Sequence, residues 1–390
     1  MGLLKNILIK FIVLILFFIG LIFKRKRYIN PKKIRTILIN RTDRIGDTVI
    51  TLPLLLELNK FFDITVLTSE YNDSILNKFF KTKITIKDPI LVKDAVKIAV
   101  KSLVKFPYNL KSNFKYDLYL DLMGLRGLDI FLDIKSKGLC KYYINLNLGP
   151  WNLLLDYNYI GFLGLFSKKH ILDTFKEILY YSLGINLDIK DYLDLSNLAK
   201  KPIDFKLDSS FILLNISGSN RFRGPKPEVF ANIINKINFD GIILIMDEPN
   251  FPNIERFKNN IKKPNVVYLK RNYNIFELLY IAIKSKLYIG SDSGISQLLQ
   301  IPTKAVLFFA TGNHWVWRPY SKNPYIRRKV KKLIIEETIT TKSLIKKIIY
   351  TPVYCRPCLD IGCNKKICIN IFSKYTDIIA KEIDNMIFPN

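Results

Sequence analysis

Acidic side chains are scarce in this sequence of 390 residues: 33 Asp and Glu face 61 Lys and Arg, a formal charge of +28. An excess of that size points to an anionic membrane, a phosphorylated substrate or a nucleic acid, or else to compositional drift, since Ile, Lys and Asn are abundant throughout. Nucleic acid is the weakest of these. No recognisable nucleic-acid module occurs, and the basic residues are spread thinly. The sequence Asp-x-Asp is missing. There is no internal repeat. With 49% hydrophobic and 24% charged residues the chain is globular, which excludes disorder. Its length calls for two domains of about 150 residues each.

The apolar residues are unevenly placed. Residues 11–23, "FIVLILFFIGLIF", lack any polar side chain, and the run reaches back to Ile7 if Lys10 snorkels. The basic "KRKR" at 24–27 follows at once. As a helix, 7–23 rises about 25 Å, slightly short of the ~30 Å hydrocarbon core, and Leu3 and Leu4 extend it. A cleaved leader would need a small-x-small site, which is absent, and its main charge ahead of the apolar run, whereas here the strong charge follows it. An interfacial helix would need a polar face. The expectation is a hydrophobic anchor helix with its basic flank, residues 1–27, and everything after it on the cytoplasmic side of the membrane.

From residue 34, apolar runs of strand length alternate with helical patterns. "TILIN" (36–40) leads to a helix around 47–60 that Pro53 should cut short. "DITVLT" (63–68), a helix around 71–80, "ITI" (84–86), a lysine-studded helix near 91–105 and "YDLYLDL" (116–122) follow. "HILDTFKEILYYSLGI" (170–185) is an amphipathic helix. After a polar linker at 200–202 the pattern restarts with "FILLNIS" (211–217), a helix at 227–237, "GIILIMD" (241–247) and a helix near 252–260. "VVYL" (266–269), a helix at 275–284, "KLYIG" (286–290) and "KAVLFFA" (304–310) complete it. Such alternation argues for βαβ units. The expected architecture is two Rossmann-like, doubly wound α/β domains, 32–200 and 205–350, with ligands in a cleft between their strand ends. A Cys-rich tail and terminal helix occupy 351–390.

Three loops could carry chemistry. "ILINRTDRIGDTVITLP" (37–53) puts Arg41, Asp43, Arg44 and Asp47 at the exit of a buried strand, where an unpaired charge is costly. Either these charges satisfy one another and the helix end, or they meet a ligand. A carboxylate in the first helical turn, such as Asp47, is kept ionised by the dipole and can act as a general base. It can equally do no more than stabilise the helix end, by a few tenths to about 1 kcal/mol. In "YIGSDSGISQLLQ" (288–300) a strand ends at Gly290, and Ser291, Asp292, Ser293 and Gly294 begin a helix: a phosphate turn or an ordinary N-cap. "SGSNRFRGPKPEVF" (217–230) brings Arg221, Arg223 and Lys226, with Gly218 and Gly224, before another helix. These cations either neutralise a diphosphate or are simply solvated. With two such loops in one half, a nucleoside diphosphate is the natural ligand.

"RTDRIGDTVITLP" resembles the N-terminal signature of glycosyltransferase family 9, the heptosyltransferase-like enzymes of lipopolysaccharide core synthesis. "YIGSDSGISQLLQIPTKAVLFFA" resembles the family's second signature, in which a strand enters D-S/T-G-x-x-H, then a helix, a proline and another strand. The resemblance spans about residues 34–375 and implies a GT-B fold with an interdomain cleft. It implies Asp47 as catalytic base. Around the donor phosphates it implies Arg223, Ser217, Gly218, Asp292, Ser293, Gly294 and Gln297, and on the ribose Asp247 or Glu248, with Glu248 preferred. Arg41, Arg44 and Arg126 would meet acidic groups of the acceptor, unless they pair with Asp43 or Asp121. Two departures stand out: Gln297 replaces the family's His, and "RGPKPEVF" lacks the Trp of its K-x-W-P loop. The implied reaction is inverting, metal-independent transfer of a hexose or heptose from a nucleoside-diphosphate sugar. The acceptor would be a lipid-linked or lipopolysaccharide-core glycan at the anionic cytoplasmic membrane. The alternatives are a catalytically silent nucleotide-sugar or glycan-binding protein on the same fold, and a GT-B nucleotide-sugar epimerase.

Five cysteines remain. Cys355, Cys358, Cys363 and Cys368 form C-x2-C-x4-C-x4-C, which suits a structural tetrahedral zinc or an iron–sulfur cluster. Cytoplasmic placement disfavours disulfides, and unligated thiols are the alternative. Cys140 stands alone and is expected in the core.

Overall fold

The computed structural model describes residues 15, 18, 19, 22, 27–80, 83–86, 115–123, 128–146, 153–159, 168–191, 193–207, 209–216, 223–246, 254–269, 273–340, 344–353 and 366–388. The expected anchor therefore lies mostly outside the described residues; Ile15, Phe18, Ile19 and Ile22 within it are helical. No helix among the described residues is long and apolar enough to cross a membrane. The chain divides into two compact units at Ile189/Lys190.

The first unit runs β1 (Thr36–Arg41), α1 (Ile45–Leu58), β2 (Asp63–Ser69), α2 (Glu70–Leu76), β3 (Lys83–Ile86), β4 (Tyr116–Asp121), α3 (Leu128–Ser136), β5 (Cys140–Leu146), β6 (Tyr157–Tyr159) and α4 (Ile171–Leu183). Its strands are parallel, in the order β3-β2-β1-β4-β5-β6. β1 is central because Ile37, Leu38 and Ile39 are apolar and buried in succession, as a strand covered on both faces requires. The strand order reverses between β1 and β4. Loops leaving the strand ends at such a point part to leave a crevice.

Helix α1 does not stop at Pro53 but continues to Leu58. A proline inside a helix costs about 3 kcal/mol. Leu52, Leu54, Leu55 and Leu58 are fully buried, and at roughly 1.5–3 kcal/mol for each such side chain the packing outweighs the break. Helix α4 is the expected amphipathic one. His170 Nδ1 caps it by accepting the Leu172 N–H at 3.1 Å, and Gly184 ends it at φ 68°. Cys140 is buried in this unit's core, as expected. The helix expected near 91–105 lies outside the described residues.

The second unit runs β7 (Phe211–Asn215), α5 (Pro227–Lys236), β8 (Ile242–Ile245), α6 (Ile254–Lys258), β9 (Val266–Tyr268), α7 (Ile275–Lys284), β10 (Leu287–Ser291), α8 (Gly294–Leu299), β11 (Ala305–Phe309) and α9 (His314–Trp317). It continues through β12 (Ile326–Val330), β13 (Leu333–Ile339), β14 (Ile345–Tyr350), α10 (Ile367–Ser373) and α11 (Thr376–Ile387). The sheet order is β12-β13-β14-β11-β10-β7-β8-β9. Strands β7 to β11 and β14 pair in parallel, while β12, β13 and β14 form an antiparallel meander. The sequence pattern missed this meander: β12 reads "IRRKV", is largely exposed, and looks like a solvated basic loop. Here the order reverses between β7 and β10. Helix α11 is no separate tail, because Ile379, Ile383 and Ile387 share one core with Phe230 and Ile233 of α5.

Candidate active site

In the second unit, the loops after β7 and β10 leave the sheet side by side at its reversal point. Arg223 arrives on the first loop and Asp292 on the second, and Arg223 Nη1 lies 2.6 Å from Asp292 Oδ2. The carboxylate is almost fully buried, whereas the guanidinium keeps 29% of its side chain exposed. Asp292 is thus the counter-ion that holds Arg223. Its own negative charge disqualifies it as a phosphate ligand, which corrects the expectation for that residue. The two loops touch closely. A Cβ on Gly224 would stand 2.1 Å from Ser291 Oγ, and from the loop after β11 one on Gly312 would stand 2.5 Å from Asp292 Oδ2.

Ser293 is the N-cap of α8: its Oγ accepts the Ser296 N–H at 3.2 Å and lies 2.9 Å from Ser296 Oγ. Its side chain therefore serves the helix end, the ordinary reading of that turn. Gln297 Nε2 donates to the Trp317 carbonyl at 2.8 Å, which fixes the amide's orientation because that carbonyl can only accept. The other amide atom, Oε1, is buried without a hydrogen-bond partner among the described residues. Gln297 therefore offers a ligand an acceptor, suited to a hydroxyl or N–H rather than to a phosphate oxygen. Beyond α8, Lys346 Nζ donates to the carbonyls of Gln300, Ile301 and Thr303 and fixes the turn into β11. Burial pushes its pKa down to about 7.

The loop after β11 is the part that the sequence reading missed. Gly312 backs the Arg223–Asp292 pair, and Asn313 caps α9 through Oδ1, accepting the Trp315 N–H at 3.1 Å. His314 stacks on Tyr350 with ring centroids 3.7 Å apart. Beneath it Glu336, fully buried, lies 3.0 Å from Arg318 Nη1 and accepts the Tyr350 hydroxyl at 2.9 Å. Burial alone would raise the Glu336 carboxyl; contacts with His314, Tyr350 and Arg318 outweigh it and hold the group below its usual range. The signal was available in "TGNHWVWRP", a polar and aromatic run directly after a parallel strand, where function concentrates.

In the first unit, Asp47 sits half-buried in the first turn of α1, directly after β1 and at the reversal point of that sheet. Arg41 takes the ion-pair alternative. It is 2% exposed, lies 2.5 Å from Asp43 Oδ2, and also donates to the Leu122 carbonyl at 3.2 Å. That commitment removes it from acceptor recognition. Arg44, by contrast, is exposed. Below the loop runs a buried polar network. Asp121 Oδ2 accepts from the Tyr119 hydroxyl at 3.1 Å and Asn145 Nδ2 at 2.9 Å, and Oδ1 accepts the Met123 N–H at 2.8 Å. Burial pushes the Asp121 carboxyl up to about 7, against the pull of these hydrogen bonds. Ser217, Gly218, Asp247, Glu248, Arg126, Cys355, Cys358 and Cys363 lie outside the described residues; Cys368 is buried on α10.

No protein-family model and no curated protein sequence matches the chain. Solved structures do. A glycosyl transferase of family 9 from Veillonella parvula aligns with TM-score 0.52 at 14% identity, covering 73% of this chain and 83% of that one. The E. coli heptosyltransferase WaaC aligns at 14% identity, covering 74% of this chain and 91% of its own, with TM-score 0.52 in its structure with ADP and 0.51 in that with ADP-2-deoxy-2-fluoro heptose. The fold is that of the family 9 glycosyltransferases. Within that family 9 fold, Arg223 and Asp292 stand on loops, and Asp47 in the first turn of α1, at the reversal points of their sheets.

Proposed function

We propose that this chain is a metal-independent, inverting glycosyltransferase that moves a sugar from a nucleoside-diphosphate donor to a glycan acceptor. The observation that carries this reading is Arg223, a partly exposed guanidinium held by a buried carboxylate where the second sheet reverses. A cation fixed in that place meets the charge that develops on a departing diphosphate, and because it is already oriented it needs no reorganisation during reaction. The fold shared with a heptosyltransferase solved with ADP supports a nucleoside-diphosphate donor, with heptose the first sugar to test.

In the proposed step Asp47 takes the proton from an acceptor hydroxyl as that oxygen bonds to the anomeric carbon of the donor. The bond from that carbon to the diphosphate breaks on the opposite face, its electron pair leaves with the nucleoside diphosphate, and the proton ends on Asp47. Arg223 stabilises the leaving charge. Ser217, Gly218 and the Ser293–Gly294 turn line the phosphates, Glu248 holds the ribose, and Arg44 and Arg126 bind acidic groups of a lipid-linked or lipopolysaccharide-core acceptor. The apolar run at 7–23 with "KRKR" supports a tether at the cytoplasmic face of an anionic membrane.

The test is Asp47→Asn assayed for sugar transfer and for nucleotide binding. The expected outcome is loss of transfer with nucleotide affinity nearly unchanged. Turnover above a few per cent of wild type rejects Asp47 as base. Because Gln297 is uncharged, a silent binding protein is the second reading; it wins if the wild-type chain binds ADP- or UDP-sugars yet neither transfers nor hydrolyses them.

A further inference from the structure

We infer that the rim of the first unit formed by Arg27, Tyr28, Tyr180 and Tyr181 is a contact surface for the headgroups of an anionic lipid bilayer. The chain enters the unit at Arg27, the last residue of the basic flank that follows the apolar run, so residues 27–29 fix where that run departs. They are fastened firmly. The Arg27 N–H donates to the Asp156 carbonyl at 3.1 Å, and its guanidinium lies 3.3 Å from the Asp156 carboxylate. The Ile29 N–H donates to the Ser182 carbonyl at 2.8 Å, and the Ile29 side chain is buried. The Tyr28 ring covers Gly184, where a Cβ would come within 2.9 Å of its hydroxyl. The departure point is therefore the C-terminal end of α4.

The surface at that point is aromatic and basic. Tyr28, Tyr180 and Tyr181 are 60%, 54% and 58% exposed, and the last two rings meet edge to face with centroids 5.3 Å apart. Tyrosine, with an apolar ring and a polar tip, is the side chain suited to headgroup level. Arg27 and Lys141 lie 5.8 Å and 5.5 Å from the Tyr142 ring. Two nearby carboxylates are engaged, Asp156 by Arg27 and Glu177 by Lys169. Upstream, Ile15, Phe18 and Ile22 are exposed at i, i+3 and i+7 along helical residues, an apolar stripe on one face. Apolar stripe, the basic residues 24–26 and a tyrosine–cation rim beginning at Arg27 follow one another along a chain of charge +28. That succession matches tails, anionic headgroups and interface of a bilayer in turn.

This inference rests on the tether in the proposed reading but not on the transfer chemistry. The experiment puts p-benzoylphenylalanine in place of Tyr181 in the full chain and irradiates it with phosphatidylglycerol-containing vesicles. The control position is Asn77, exposed just after α2 at the opposite edge of the sheet from β6. The expected result is roughly tenfold more lipid adduct at 181 than at 77, falling when phosphatidylcholine replaces the anionic lipid. Equal adducts at the two positions, no lipid adduct at 181, or adducts to a second copy of the chain would overturn it. Sugar turnover is read separately, so a failed adduct and a failed transferase reading are distinguishable.

Discussion

Gly224 is where a single methyl group tests the donor site. A Cβ there would stand 2.1 Å from Ser291 Oγ, 2.8 Å from Ser291 Cβ and 3.5 Å from Ser291 Cα. The hydroxyl can rotate away, but the Cβ is fixed to the end of β10. Restoring an ordinary carbon–carbon separation of about 3.5–4.0 Å forces the turn and the strand apart by roughly 1 Å. Overpacking of this kind costs about 1–3 kcal/mol. The turn that moves carries Arg223, whose 2.6 Å contact with Asp292 cannot survive such a shift. Gly224→Ala should therefore lower Tm by about 2–4 °C per kcal/mol and weaken nucleoside-diphosphate binding by about tenfold for each 1.4 kcal/mol lost at the site. Thermal unfolding with and without titrated ADP reads both. Ser291→Gly removes the two offending atoms, so the double variant should recover most of the loss, a coupling that single-site explanations do not produce. Wild-type Tm and affinity in Gly224→Ala, or no rescue in the double variant, would refute the reasoning.

Three further outcomes are expected. A carboxyl raised to about 7 from 3.8, as in Asp121, binds a proton in the folded state that the unfolded chain has already released; its contribution is full below the unfolded pKa and is lost as pH rises through the folded value. Unfolding free energies from urea titrations should therefore fall between about pH 4 and pH 7, by at most roughly 4 kcal/mol from this group, and Asp121→Asn should flatten that slope; an unchanged slope counts against the assignment. Glu382, buried on α11, pairs with Arg328 and with Lys347 Nζ at 2.9 Å, and Lys347 is itself buried. Glu382→Gln should destabilise the second unit by about 3–5 kcal/mol in chemical unfolding. If Cys355, Cys358, Cys363 and Cys368 hold zinc or iron, protein purified without oxygen carries stoichiometric metal by elemental analysis and chelation lowers its Tm; metal-free protein with four titratable thiols excludes the site.

Much of the fold was legible where local chemistry is decisive. The helix expected at 275–284 coincides with α7, because Asn274 and Glu277 form a capping box that fixes its start. "KLYIG" and "KAVLFFA" announce β10 and β11 through β-branched and aromatic residues in unbroken apolar runs. The antiparallel meander was hidden because β12 gains its partner only from β13, not from a hydrophobic face of its own. Pro53 misled because helix propensity is local while the burial of α1 is tertiary. For the candidate site, the sequence pointed to Asp47, Arg223 and the 291–294 turn as candidates, but the partners of these residues are long-range facts. Arg223 and Asp292 are far apart in sequence, as are His314 and Tyr350, and no spacing rule joins them. Whether Arg41 met a ligand or Asp43 turned on burial, which spacing does not encode.

The packing of α11 against α5 bears on how the chain comes to be folded while it is being made. Every strand of the second sheet is in place by Tyr350, yet the core beneath it stays open until Ile379, Ile383 and Ile387 arrive. The first unit draws on nothing in that core and can close early, since domains fold as units in order of synthesis. The second must wait, apolar surface uncovered, until those residues too have left the ribosome, and that interval is when it depends most on a chaperone.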